Sequence, residues 1–155
     1  MNVLFVCTGN TCRSPMAEAL LKHKMKEVDV QSAGIFAQPG IEANKHAITA
    51  LHEKGITCQH RSQQVTTELL DWADLVLTMT VAHKQMLEQQ YPDYHKKLYT
   101  LKQYIYDKQT DSPMDDVSDP FGGDLAIYKA TLADLEQLID LLSDKLAVKI
   151  REGNE

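Results

Sequence analysis

The sequence predicts an α/β fold: one domain built on a four-stranded, parallel, twisted sheet with helices on both faces. Two observations carry this expectation. Short apolar runs suited to strands alternate along the chain with longer stretches whose apolar residues recur every three or four positions. The chain has 155 residues, with no internal repeat and no linker that would divide it, which is the size of a single domain with one sizeable core. The domain is expected to span residues 1–150, with residues 151–155 as a frayed tail.

The elements follow in order. Residues 2–6 form a compact apolar run, β-branched at Val3 and Val6, which reads as a buried strand. Residues 14–26 carry Ala17, Leu20, Leu21 and Met25 at helical spacing. Pro15 suits the first helical position there, and Glu18 lies early enough to favour the positive end. Residues 28–33 read as a second strand, stopped by Gly34. A helix over 43–54 places Ala47, Ile48 and Leu51 on one face, with Gly55 just past its end. Thr66 can cap a short helix through Asp71. Residues 75–79 are an almost wholly apolar third strand, 81–90 a further helix, and 97–101 a short fourth strand. A loose, aspartate-rich stretch over 107–118 leads into Asp119-Pro120-Phe121-Gly122-Gly123. A long helix over 123–150 then repeats Leu125, Tyr128, Leu132, Leu135, Leu138, Leu142 and Leu146, a core-packing stripe.

Composition narrows the partners. The net charge of -6 argues against a nucleic-acid backbone or an anionic membrane as the main partner. Three cysteines, Cys7, Cys12 and Cys58, are an odd number with no regular framework, unlike a secreted disulfide scaffold. The first apolar run stops at Cys7, too short for a signal peptide or a membrane span. A cytoplasmic, reducing setting is expected, in which Cys7 is a free thiol.

Ligands of parallel α/β sheets bind outside the carboxyl ends of the strands. The loop after the first strand lies there and reads Cys7-Thr8-Gly9-Asn10-Thr11-Cys12-Arg13-Ser14-Pro15. It sets a thiol beneath backbone amides, an arginine fork and a helix N-terminus, all suited to a tetrahedral anion. Gly9 and Asn10 tolerate the left-handed backbone that an anion nest needs. No Gly-Lys-Ser/Thr follows, so this is not a nucleotide-binding loop. Arg13, the amides and the Ser14 hydroxyl favour a thiolate. Complete ionisation of an ordinary thiol gains only roughly thirtyfold in reactive fraction, about 2 kcal/mol. The larger share of any rate must therefore come from amides and Arg13 holding the equatorial oxygens in the transition state.

With Cys7…Arg13-Ser14 near the N-terminus and Asp119-Pro120-Phe121 far downstream, the chain resembles the low-molecular-weight protein tyrosine phosphatases. The resemblance extends through Ser32-Ala33-Gly34, Asp74-Leu75-Val76-Leu77 and the final helix. It implies a protein phosphatase that works without metal or organic cofactor. In that mechanism Cys7 attacks phosphorus and becomes a cysteinyl phosphate. Asp119 protonates the leaving group and then serves as base for the hydrolytic water. The resemblance also implies a phosphate-binding loop of Thr8, Gly9, Asn10, Thr11, Cys12 and Ser14. It further implies a supporting hydrogen-bond network in which Asn10 and Ser14 meet Ser32 and His60. His23, His46, His52, His83 and His95 are read as surface or packing residues. Cys12 is expected to form a reversible disulfide with Cys7 under oxidation, and Cys58 only to pack.

Three departures from the tyrosine-specific members bear on substrate. Thr11 stands where those commonly carry a bulky aliphatic residue. Gly122-Gly123, not further aromatics, follow Phe121. Thr80, not an acid, follows Met79. These features look like the bacterial protein arginine phosphatase branch. A threonine hydroxyl suits the polar, planar phosphoguanidinium better than a phenyl ring, and Asp119 can pair with it. Phe36, Leu77 and Phe121 would line the apolar sides. The expected partners are phosphorylated protein substrates, met by a monomer, with phosphotyrosine as the alternative substrate. Arsenate reduction is a rival chemistry, but it needs further downstream cysteines. An idle phospho-binding module is another, but it would not need Cys7, Arg13 and Asp119 together.

Overall fold

The computed structural model describes residues 1–153. It contains one four-stranded parallel sheet: β1 (Asn2–Cys7), β2 (Asp29–Gly34), β3 (Leu75–Thr78) and β4 (Leu98–Thr100), in the order β2-β1-β3-β4. The chain leaves β1 toward β2 on one side, then returns to add β3 on the other. The carboxyl end of β1 is therefore the switch point where a crevice opens. Cys7 is the last residue of β1.

Six α-helices connect and cover the strands: α1 (Arg13–Lys24), α2 (Lys45–Glu53), α3 (Thr67–Trp72), α4 (Val81–Gln90), α5 (Leu101–Tyr106) and α6 (Leu125–Gly153). Strand side chains alternate between faces, and the two faces build separate halves of the core. Val3, Phe5, Leu75 and Leu77 pack with α1, α2, α5 and α6, where Leu132, Leu135, Leu142 and Leu146 supply the stripe expected of the last helix. Leu4, Val6, Val76 and Leu98 pack with Leu70 of α3 and Leu87 of α4.

The caps explain most boundaries. Asn44 accepts the His46 N–H at 2.8 Å and starts α2 two residues later than expected. Thr66 accepts the Leu69 N–H at 3.2 Å, as read from sequence. Thr100 and Gln103 form a reciprocal capping box, which ends β4 and opens α5, a helix the sequence reading did not anticipate. The stretch over 107–118 is not loose. Buried Asp115 takes the Lys108 ammonium at 2.8 Å and the Ser112 N–H at 3.1 Å. Asp111 takes Lys84 at 2.9 Å, and Asp116 accepts the Val81 N–H at the start of α4, at 2.8 Å. Helix α6 runs on to Gly153, and the last two residues of the expected tail lie outside the described residues. No described helix is long and apolar enough to cross a membrane.

Candidate active site

The loop from β1 to α1 closes on Cys7, whose side chain is buried and whose Sγ lies 2.8 Å from Ser14 Oγ. Asn10 holds the loop shut from inside. It is fully buried, with φ +59, the left-handed conformation anticipated for it. Its Oδ1 accepts the Gln63 N–H at 3.0 Å, which fixes the amide orientation. Its Nδ2 donates to Ser14 Oγ and to Ser32 Oγ, both at 2.9 Å. Ser14 accepts from Asn10, so its own hydroxyl proton is free to point at Cys7. Ser32 in turn donates to Glu18 Oε1 at 2.5 Å.

His60 closes the circuit. Its Nε2 donates to the Asn10 carbonyl at 2.7 Å, and its Nδ1 lies 3.7 Å from Glu18 Oε1. Burial opposes the charge on Glu18. The nearby His60 ring and the hydrogen bonds from Lys22 and Ser32 outweigh it and hold the carboxyl below the usual range. Sequence reading named Asn10, Ser14, Ser32 and His60 but not Glu18. The only signal was its place one turn into α1, where it faces back toward the loop.

Above the thiol, the amino end of α1 has no side-chain cap and no acidic residue in its first turn. Arg13, the first residue of that helix, lines the cleft, and the orphan N–H groups of an uncapped helix start suit an anion. Arg13 is buried as well. Its Nη1 donates to the Val117 carbonyl at 3.0 Å, and its Nη2 lies 3.5 Å from Asp119 Oδ2. Asp119 is 52% exposed, and its Oδ1 accepts the Phe121 N–H at 3.0 Å. A buried guanidinium thus has one half-exposed carboxylate for a counter-charge, which leaves room for an anion beside it. The strap over 107–118 brings the Val117 carbonyl to Arg13 and leads directly into Asp119, and Val117 N–H donates to the Met79 carbonyl at 2.8 Å just past the end of β3.

Between these groups lies a cleft of about 220 Å³, lined by Cys7, Thr8, Gly9, Thr11, Cys12, Arg13, Asp119 and Phe121. Thr11 Oγ1 has one polar neighbour, the Cys12 sulfur at 3.7 Å, while the Thr11 carbonyl is anchored by the Asn44 N–H at 2.8 Å. Phe121 is 78% exposed and stands on the rim. Phe36 is exposed too, and its N–H donates to the Thr8 carbonyl at 2.9 Å, but its ring is outside the cleft lining. Leu77, expected as an apolar wall, is instead fully buried in the core. It occupies an inward position of β3 opposite Phe5, so no surface of it is left for a substrate.

Cys12 is buried, and its sulfur lies 3.1 Å from the hydroxyl of fully buried Tyr128. Burial, then the contact with Cys12, pushes the Tyr128 phenol well up. Cys58 is half-buried, and desolvation with the nearby Glu18 charge pushes its thiol up. His83, read as a packing or surface residue, proves to be buried beside Thr8, with Nε2 2.8 Å from Thr8 Oγ1. Among the described residues, no group of three or more His, Cys, Asp or Glu is gathered to hold a metal ion.

Comparison with known proteins finds relatives over nearly the whole chain. The family described as "Low molecular weight phosphotyrosine protein phosphatase" matches residues 2–152. A protein-arginine-phosphatase of Geobacillus stearothermophilus is 51% identical over 145 residues, 93% of this chain and 95% of the relative. The solved YwlE arginine phosphatase of the same organism superposes with a TM-score of 0.91 at 49% identity, covering 97% of this chain and 96% of that one. A second YwlE arginine phosphatase structure, of a mutant with a phosphorylated active site serine, gives 0.88 at 47% identity, covering 95% and 96%.

Proposed function

The chain belongs to the low-molecular-weight phosphotyrosine protein phosphatase family, and from that premise we propose that it hydrolyses phosphoarginine in proteins through a cysteinyl-phosphate intermediate. One observation carries the phosphatase chemistry. Cys7, the uncapped amino end of α1 and the buried Arg13 surround a single small cleft that also holds the Asp119 carboxylate.

In the first step the Cys7 sulfur attacks phosphorus in line, and the bond from phosphorus to the leaving nitrogen breaks. Asp119 gives that nitrogen its proton. Arg13 and the loop amides hold the three equatorial oxygens as charge spreads over them. In the second step a water attacks the cysteinyl phosphate, Asp119 takes its proton, and the Cys7 thiolate leaves with the Ser14 hydroxyl directed at it. The network through Asn10, Ser32, Glu18 and His60 keeps the loop in that shape without touching the substrate.

Arginine as the substrate side chain is supported by Thr11. A hydroxyl at this point of the cleft can bond a guanidinium N–H, where a larger aliphatic side chain would only pack against a ring. Identity of about half with arginine phosphatases over nearly the whole chain supports the same reading. The nucleophile must stay reduced, which fits a cytoplasmic setting; one chain supplies every residue lining the cleft, which fits a monomer acting on phosphorylated proteins. Cys12 would shield Cys7 from irreversible oxidation by forming a disulfide with it.

The test compares hydrolysis of a phosphoarginine peptide and a phosphotyrosine peptide by the native protein and by Thr11→Ile. Native kcat/KM is expected to favour phosphoarginine strongly. The substitution is expected to lower phosphoarginine turnover at least tenfold and to raise the relative rate on phosphotyrosine. Native turnover of phosphotyrosine equal to or better than that of phosphoarginine would reject the arginine assignment.

A further inference from the structure

The one buried side-chain nitrogen or oxygen left without a hydrogen-bond partner among the described residues lies beneath this cleft. It is Nδ1 of His83, in the first turn of α4, a residue only 6% exposed. The same ring presents Nε2 to Thr8 Oγ1 at 2.8 Å. Thr8 directly follows Cys7, is itself exposed, and lines the cleft.

The two nitrogens decide the direction of that contact. Burial and the neighbouring Arg13 charge keep the ring neutral, against the weaker pull of Asp116 and Asp119, so one nitrogen alone carries a proton. Were it Nδ1, an N–H would be buried unpaired, and the Thr8 hydroxyl would have to turn its proton inward to Nε2. With the proton on Nε2, the 2.8 Å contact is a good N–H···O bond and Nδ1 is a bare lone pair. The Thr8 hydroxyl then accepts from below and has its own proton free.

We propose that His83 is a positioning residue of the dephosphorylation site, holding the Thr8 hydroxyl as a fixed donor to a phosphoryl oxygen in the cleft. This rests on the reading that the cleft takes a phosphoryl group, and is indifferent to which side chain carries it. The anchor is rigid. Thr80 caps α4 by accepting the His83 N–H at 3.1 Å, Thr78 of β3 donates its hydroxyl to the Thr80 carbonyl at 2.8 Å, and Asp116 accepts the Val81 N–H, so the first turn of α4 is pinned to both the end of β3 and the strap that leads into Asp119. A hydroxyl already oriented donates to the charged oxygen without first losing rotational freedom, and bonds to charged acceptors are the stronger kind.

The test is a double-mutant cycle on kcat/KM, read with a phosphoarginine peptide and with p-nitrophenyl phosphate, together with inhibition by inorganic phosphate. His83→Phe and Thr8→Val are each expected to lose about tenfold on both substrates and to weaken phosphate inhibition by a similar factor. The double variant should lose no more than either single one. His83→Gln, whose amide N–H can replace Nε2, and Thr8→Ser should recover most of the activity. Independent losses that multiply in the double variant, a Thr8→Val protein at full efficiency, or a His83→Gln protein as impaired as His83→Phe would each overturn the proposal. Should His83→Phe fail to fold, Thr8→Val against Thr8→Ser, with His83→Gln, still decides. A native protein inactive on both substrates would reject the phosphatase reading itself, a result no variant in the cycle can imitate.

Discussion

Asp119 shows what single residues contribute. Both of its oxygens are engaged, Oδ1 by the Phe121 N–H and Oδ2 by Arg13 at 3.5 Å, yet the side chain is about half exposed. The turn made by Pro120 and Phe121 therefore aims the carboxylate while solvent can still exchange protons with it. If it protonates the departing nitrogen, Asp119→Asn should lower kcat/KM, which leaves out the hydrolysis of the cysteinyl phosphate shared by all substrates, on a phosphoarginine peptide by about 10² to 10⁴. The loss on p-nitrophenyl phosphate should be much smaller, because nitrophenolate leaves without a proton; equal losses on both would mean that Asp119 acts on charge or position alone. That Cys7, Arg13 and Asp119 meet at one cleft was legible because local motifs mark them. Glu18 and His83 were not. Each is defined by a partner far along the chain, His60 for the one and Thr8 for the other, and nothing near them in sequence marks the contact.

The elements act as mounts for the loop. Strand β2 continues past its pairing with β1: Ile35 and Phe36 donate to the carbonyls of Cys7 and Thr8 at 3.0 and 2.9 Å. That continuation depends on Gly34. A Cβ there would lie 2.6 Å from the Thr8 carbonyl oxygen and 3.0 Å from the Asn10 backbone nitrogen, both main-chain atoms that cannot turn aside. Gly34→Ala should therefore cost roughly 1–3 kcal/mol of stability. It should impair phosphate binding more than that loss implies, because the strain enters through the loop; a melt combined with inhibition by inorganic phosphate would check it, and an unchanged inhibition constant would count against it. The strands and long helices were legible from periodicity, since burial of one face demands it. Helix α5 was not, because its capping box begins where β4 ends and leaves no turn signal between them. Leu77 was misread for a related reason. The end of an apolar strand near a site says nothing of which face each side chain takes until the register with β1 is known.

At the scale of the whole molecule, the groups that shape the site also set how the fold responds to acid. His83 is the clearest case: burial, then the Arg13 charge, lower its pKa from 6.5 to about 4, while Asp116 and Asp119 pull the other way. An unfolded chain binds a proton at this histidine below 6.5, whereas the folded one does so only near 4. Between those values the unfolded state holds more protons, so stability falls as pH falls, by at most about 3 kcal/mol. Glu18 works in a lower window. Its folded pKa is depressed below 4.5, so its contribution is present above that value and is lost as pH falls through the folded one. The two windows separate in a melting experiment run from pH 7 to pH 3. The native protein should lose stability first between about 6.5 and 4, and His83→Gln should flatten that part of the curve while leaving the fall below 4.5 in place. Glu18→Gln should do the reverse. A His83→Gln protein with the native slope between 6.5 and 4 would place the acid-sensitive group elsewhere. It would also remove the neutral, buried imidazole on which the orientation of Thr8 depends.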